Sequence, residues 1–469
     1  MSVSKSELMS LTLADAAQQI QERRLSPVEL TRAFLDRIAD IDPKVHAFIT
    51  VCGDEALVAA RNAEAEISKG KYKGPLHGIP YSVKDIIASR GIRTTSGSRL
   101  LENSVPEYDS TVIATLAAAG AVLLGKNNLA EFAAGGEASG FMGPVNNPWK
   151  LSHVCGGSSS GPCASVASGM ALVGVGTCTG GSIRQPASHT NVVGLKPTYG
   201  LVSRYGVFPL SWSIDHVGPL AKTVEDCALL LQVIAGYDPK DPSSVNSSPI
   251  DYRAALTGDI RGLRVGVPAE LNQGASEEVA DCIQEAIRVL SSLGASVDEV
   301  SLPITGQYAT VAGNLITWSE MSQIHAPWRQ RLDEYSTGIR EKVLVGAVIP
   351  SSIYHKAQQM RRMVQAEITE TLQDFDVLVG PNIRVPPGPL GGSTPTGAAM
   401  GMATEVSFTR PFNLTGNPSL SVPCGFSPDG LPVGMQISGR LHEDATVLRV
   451  AHAYEQVTPW HTMHPGFEE

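Results

Sequence analysis

LSHVCGGSSSGPCASVASGMALVGVGTCTGGSI (151–183) contains no Asp, Glu, Lys or Arg, and its reading decides the fold. A transmembrane helix needs about twenty predominantly apolar residues in one run. This run is broken by GGSSSGP, SG, GVG and TGGS, which a lipid-facing helix tolerates poorly. A charge-free stretch so rich in Gly and Ser reads as backbone buried inside protein. Within it SVASGMA is helix-like and LVGVG strand-like. Two Gly-Gly-Ser groups, GGSSSGP (156–162) and TGGS (179–182), therefore flank one helix–strand unit.

The alternation continues on both sides. LTLADAAQQIQERR (11–24) and SPVELTRAFLDRIADID (26–42) read as helices, the second opened by Ser26 as cap and Pro27 in the first turn. AFITVC (47–52), HGIPYSVKD (77–85) and AVLLGKNN (121–128) read as strands, the last as a buried parallel one. GLRVGVPAE (262–270), ASVDEVSLP (295–303), DVLVGPN (376–382), NPSLSVPCGF (417–426) and LPVGMQISGR (431–440) continue the series. Helices fill 276–295, much of 307–374 and 442–456. The pattern predicts an α/β chain with a mixed, mostly parallel central sheet covered by helices on both faces. A weak boundary falls near 237–262, yet strands before and after it can join one sheet.

Of the 469 residues, 17% are charged and 42% hydrophobic, which describes a large core and excludes a disordered chain. The net charge of −10 supplies no basic surface for nucleic acid or an anionic membrane. Seven cysteines without a C-x-x-C pair suggest neither a disulfide framework nor a zinc site. The histidines show no H-x-x-x-H or H-E-x-x-H spacing, so no metal is expected. The N-terminus lacks the apolar core of a signal peptide, and a cytoplasmic location is the simplest expectation.

Three motifs compete for the chemistry. GAVLLGK (120–126) fits the start of a P-loop, but AVLL is a strand and Asn127 stands where Ser or Thr should hold magnesium. GSSSG (157–161) fits the nucleophile elbow of an α/β-hydrolase, with Ser159 as nucleophile and Asp444 and His452 downstream. The elbow needs a strand immediately before it, and NPWKLSHVCG is turn-forming. The third reading is a Ser–Lys site. Gly pairs before Ser158 and Ser182 let backbone N–H groups converge on one point, as an oxyanion hole requires. Lys84, ending the apolar strand IPYSV, is either solvated beside Asp85 or a buried base.

The stretch 155–199 resembles the amidase signature, and the resemblance extends over nearly the whole chain. HGIPYSVKD (77–85), AGAVLLGKNNLAEFAAGG (119–136), FMGPVNNPW (141–149), RYGVFPLSWSIDHVGPLAKTVEDCALLL (204–231) and GLPVGMQISGR (430–440) carry it. It implies one amidase-signature domain over 1–469: N-terminal helices 1–70, a signature core about 71–235, and a C-terminal part at 260–469. It also implies a Ser–cis-Ser–Lys triad, with Ser182 as nucleophile, Ser158 as bridging serine on a cis peptide and Lys84 as base. The N–H groups of Thr179, Gly180, Gly181 and Ser182 would form the oxyanion hole. No metal or organic cofactor is implied. The chain departs from the family where Cys178 replaces an Asp, Ser160 and Pro162 replace Gly and Ser, and His189-Thr190-Asn191 replaces Phe-Cys-Gly.

The leading expectation is a small-molecule amidase that cleaves a linear C–N amide bond through an acyl-enzyme. Aryl amides, carbamates (urethanes) and esters fall within its substrate range. The expected partner is that small molecule, with no nucleic acid and no membrane, and with room for a homodimer. A second reading is the amidase subunit of a glutamyl-tRNA amidotransferase. A third is a catalytically impaired binding or scaffold protein, motivated by Cys178.

Overall fold

The computed structural model describes residues 5–134, 140–246, 250–391 and 407–467. Its strands are β1 (Phe48–Val51), β2 (Pro80–Lys84), β3 (Val122–Asn127), β4 (Asn146–Asn147), β5 (Lys150–Val154), β6 (Val173–Cys178) and β7 (Val193–Lys196). After these come β8 (His216–Ala221), β9 (Arg264–Pro268), β10 (Ser296–Val300), β11 (Val377–Pro381), β12 (Ser419–Phe426) and β13 (Pro432–Gly439). Among the described strands β4 and β5 pair with each other and with no other. The rest form one sheet in the order β1-β3-β2-β6-β8-β7-β12-β13-β11-β9-β10. Strands on both sides of the Pro- and Ser-rich stretch near 237–262 thus share a single sheet.

The sheet is mixed, as the sequence pattern predicts, but it is not mostly parallel. Among the described strands six pairings are antiparallel and four parallel. The reason is local. β8 lies between β6 and β7, antiparallel to both. β12 and β13 form a direct hairpin and run antiparallel to their outer neighbours β7 and β11. Strand–helix alternation in a sequence does not reveal such insertions.

The charge-free run is buried backbone. Every residue of helix Ser160–Ala167 and of β6 is buried, and Gly174 and Gly176 in β6 face Pro162 and Ser159 at close range. Side chains at those two positions would separate helix from strand. Ser26 caps the helix Pro27–Val45 by accepting from the N–H groups of Val28 and Glu29, each at 3.1 Å. Among the described residues no helix is long and apolar enough to cross a membrane.

Candidate active site

β2 delivers Lys84 into the interior, where its side chain is fully buried. Its Nζ lies 2.7 Å from Ser158 Oγ, 3.0 Å from Ser159 Oγ and 2.9 Å from Thr177 Oγ1. All three partners are neutral hydroxyls. Burial lowers the Lys84 pKa from 10.5 to about 7, against weaker opposing pulls from Cys178, Cys163 and Asp215. Asp85, the next residue, points to the other face of β2. It accepts from Thr95 N at 2.8 Å and Thr95 Oγ1 at 2.5 Å, and stands 3.7 Å from Lys126 Nζ. Strand alternation separates Lys84 from the neighbouring carboxylate.

The hydroxyls around Lys84 are not equivalent. Ser159 Oγ donates to Thr177 O at 3.0 Å and accepts from Thr177 N at 3.3 Å, so it can only accept from the lysine. A neutral amine can therefore donate to Ser159 and Thr177 while its lone pair accepts from Ser158. Ser158 is the one serine that the arrangement leaves free to exchange a proton with Lys84. The elbow reading of Ser159 does not survive. β5 is followed by Cys155-Gly156-Gly157 and lies outside the central sheet. Asp444 is engaged with Thr198 N at 2.8 Å and Thr198 Oγ1 at 2.6 Å.

No peptide bond among the described residues is cis, which corrects the bond implied at Ser158. Ser158 meets Lys84 through a turn in which Gly156 and Gly157 both take positive φ, +79° and +116°. A Cβ on Gly157 would stand 2.9 Å from Pro186 Cδ, in the helix that follows Ser182, so glycine permits the two Gly-Ser loops to approach. Their backbones are joined by the hydrogen bond from Ser159 N to Ser182 O, at 3.2 Å.

The second loop, 179–182, carries unused donors. Among the described residues none of the N–H groups of Thr179, Gly180, Gly181 and Ser182 donates to a protein acceptor. Its carbonyls are engaged, with Gly180 O accepting from Thr409 Oγ1 at 2.7 Å and Gly181 O from Gln185 N at 2.8 Å. Ser182 is half-buried, and its Oγ makes no hydrogen bond among the described residues. The structure thus brings Lys84 to Ser158 directly and brings Ser182 alongside through the backbone. Thr177 and Thr179 open onto a cleft of about 200 Å³ walled by Tyr205, Phe208 and Trp212.

Sequence reasoning missed the residues that fix this loop. Thr179 Oγ1 donates to Asp215 Oδ1 at 2.6 Å, and Asp215 also accepts from Leu210 N and Ser211 N at 2.8 Å. The fully buried Arg184 donates to Gln436 Oε1 at 2.5 Å, Ser419 Oγ at 2.9 Å, Thr409 O at 3.0 Å and Asn413 Oδ1. Asn413 in turn donates to Cys178 O at 2.8 Å. Signals were present in SWSIDH and PFNLTG, but nothing in the spacing ties them to residues so distant in the chain.

The Amidase family model matches residues 29–448. The chain belongs to the amidase signature family. The A component of a glutamyl-tRNA(Gln) amidotransferase from Geobacter metallireducens is 42% identical over 98% of this chain and all of that protein. A peptide amidase from Stenotrophomonas maltophilia is 31% identical, with a TM-score of 0.88 over 98% of this chain and 99% of that one. A bacterial aryl acylamidase is 28% identical, with a TM-score of 0.89 over 97% and 98%.

Four of the residues that depart from the amidase signature, Cys178, Pro162, His189 and Asn191, have local explanations. Cys178 Sγ lies 3.8 Å from Arg184 Nη2 and 3.6 Å from Asn413 Oδ1. Burial raises the thiol, but Arg184 and the Ile183 N–H outweigh this and lower its pKa. Pro162 falls in the first turn of Ser160–Ala167, where its missing N–H would have no intrahelical partner. Asn191 takes the left-handed conformation, φ 60°, that ends helix Arg184–Thr190, and Asn tolerates this region better than other non-glycine residues. His189 is buried with Nε2 3.2 Å from Val385 O, and burial lowers its pKa to about 4, so it packs as a neutral ring.

Proposed function

We propose that this amidase-signature chain hydrolyses the C–N bond of a small amide through an acyl-enzyme on Ser182. The observation that carries the reading is a fully buried lysine amine held, among the described residues, by three hydroxyls, one of them free to relay a proton. Ser182 Oγ attacks the carbonyl carbon after its side chain turns toward Ser158. Its proton passes to Ser158 Oγ as the Ser158 proton passes to neutral Lys84. The N–H groups of Thr179, Gly180, Gly181 and Ser182 receive the oxyanion without reorganising. Collapse breaks the C–N bond, and the Lys84 proton returns through Ser158 to the leaving nitrogen. Water then hydrolyses the ester by the same relay. The aromatic cleft suits an aryl or other apolar portion, so aryl amides, carbamates (urethanes) and esters belong in the substrate screen. The reading assigns the protein to the C–N hydrolases acting on linear amides, in the cytoplasm, as one domain over 1–469.

Fluorophosphonate labelling followed by peptide mapping tests it. The adduct is expected on Ser182. An adduct on Ser159 would revive the elbow and end the relay.

The full-length likeness to a glutamyl-tRNA(Gln) amidotransferase component favours a second reading, release of ammonia from glutamine for a partner. Glutamine-dependent ammonia release that requires further co-purified chains would replace the stand-alone assignment. Any turnover of a chromogenic anilide above the buffer rate removes the scaffold alternative.

A further inference from the structure

Arg410 lies against the same loop, and the relay does not use it. It opens the helix Arg410–Thr415, directly after the threonine that holds Gly180 O. A Cβ on Gly180 would stand 2.6 Å from Arg410 Nη2, and one on Gly313 would meet the aliphatic part of its side chain. Glycine at both positions makes room for the guanidinium beside the nucleophile loop. Among the described residues its one side-chain hydrogen bond runs from Nη1 to Thr317 Oγ1 at 3.5 Å, the outer limit of such contacts.

Arg184 shows what a structural arginine looks like in this protein. Its guanidinium is closed off from solvent and holds four oxygen acceptors. Among the described residues Arg410 leaves most of its five donors without an acceptor, and it remains partly open to solvent. Among the described residues no carboxylate pairs with it. Burial lowers its pKa to about 10, and Cys178 is the group that pulls the other way. A second cation, Lys342, is near enough to feel Arg410 as a like charge, and its ammonium donates to Ala134 O. Glu341 offsets part of the Lys342 charge and Cys178 part of the Arg410 charge, but among the described residues neither cation has a carboxylate within ion-pair distance, and an anion joining the two would lower the cost of burying them.

We propose that Arg410, backed by Lys342, binds a carboxylate of the substrate, so that the enzyme prefers amides carrying an anionic group without a neighbouring ammonium. The proposal rests on the acyl-transfer reading of Ser182. A guanidinium fork matches a planar carboxylate through two parallel hydrogen bonds. Gly180 is two residues before Ser182, so an anion held by Arg410 would lie along the nucleophile loop. The second cation disfavours a zwitterion such as glutamine relative to a simple dicarboxylic monoamide.

Three 4-nitroanilides with one leaving group test this: glutaryl, γ-glutamyl and butyryl. The expected kcat/KM for glutaryl exceeds that for butyryl by about tenfold or more, the size of one charge-assisted hydrogen bond, with γ-glutamyl below glutaryl. Arg410→Gln brings the glutaryl-to-butyryl ratio close to one, mainly through KM, and Arg410→Lys keeps part of it. Thermal melting checks that each variant folds. A wild-type ratio at or below one overturns the anion site, while butyryl turnover lost in Ser182→Ala leaves the acyl-transfer reading intact. If no anilide is cleaved, that reading falls. Calorimetry on Ser182→Ala then decides the anion site: tighter binding of glutaranilide acid than of butyranilide, removed by Arg410→Gln, supports it, and equal binding overturns it.

Discussion

Lys84 and Lys126 sit on neighbouring strands, both fully buried, and are held in opposite ways. Lys84 faces three hydroxyls. Lys126 sits across from Val83 in the sheet, on the other face, where it meets Asp85 at 3.7 Å, Thr94 Oγ1 at 2.8 Å and the carbonyl of Ile87. Burial lowers both, Lys84 to about 7 and Lys126 to about 8, and for Lys126 the Asp85 charge is the first opposing pull. The difference teaches that burial alone does not make a base. A carboxylate partner pulls a buried lysine back toward its charged form, whereas hydroxyl partners leave burial unopposed and the lysine readier to give up its proton.

The comparison breaks most visibly in activity. Lys84→Met is expected to lower acylation by about 10⁴-fold, the upper end of what positioned proton transfer contributes. The fold should survive or gain stability. The Lys84 pKa is lower folded than unfolded, so between about 7 and 10.5 the unfolded chain binds more protons and stability rises with pH. Below about 7 the cost of the buried ammonium is fully present. The stabilising effect of Lys84→Met should therefore be largest near pH 6 and fade toward pH 10, as urea unfolding at several pH values would show. A large loss of stability near pH 6 would mean that Lys84 is structural.

Lys126→Met should do the reverse. It leaves Asp85 buried without its cation, at a cost of about 3–5 kcal/mol in urea unfolding. Replacing Asp85 by Leu in the same chain should recover much of that. If Lys126→Met is as stable as the wild type, the pairing carries no weight and the contrast with Lys84 is lost.

Short-range features of this fold are legible in the sequence and long-range ones are not. Local regularities were readable: Ser26 as a cap, the strand ending at Lys84, and the opposite facing of Asp85, which needs only the alternation of a strand. GAVLLGK could be dismissed as a P-loop because a run of Val and Leu makes a core strand, and Lys126 is indeed inside one. The charge-free run was readable as buried backbone because Gly and Ser without charge have few other uses. What was not readable is long range. Arg184 reaches Asn413, Ser419 and Gln436 across more than 200 residues, and β8 slips between β6 and β7. The roles of Lys84, Ser158 and Ser182 came from the family resemblance. The hydrogen bonds that engage Ser159 emerge only when Thr177 is placed beside it.

Smaller effects sharpen the picture of the loop. Asn191→Ala should cost about 1–2 kcal/mol for its left-handed backbone, and Asn191→Gly less, by thermal denaturation. Cys178→Ala should keep turnover and cost about 1 kcal/mol or somewhat more, since it removes a buried sulfur and one neighbour of Arg184. Abolished turnover in a well-folded Cys178→Ala protein would move the thiol into the chemistry.

The pH dependence of kcat/KM on one anilide reports whether Lys84 acts as a neutral base through Ser158. Wild-type activity should rise with pH to a plateau, with a midpoint near the Lys84 value of about 7. Residual activity in Lys84→Ala should lose that limb, and Lys84→Arg should not restore the rate, because arginine stays protonated. A Lys84→Arg enzyme with near-normal turnover and an unchanged profile would show that the side chain serves as a fixed charge, and would contradict the proton relay.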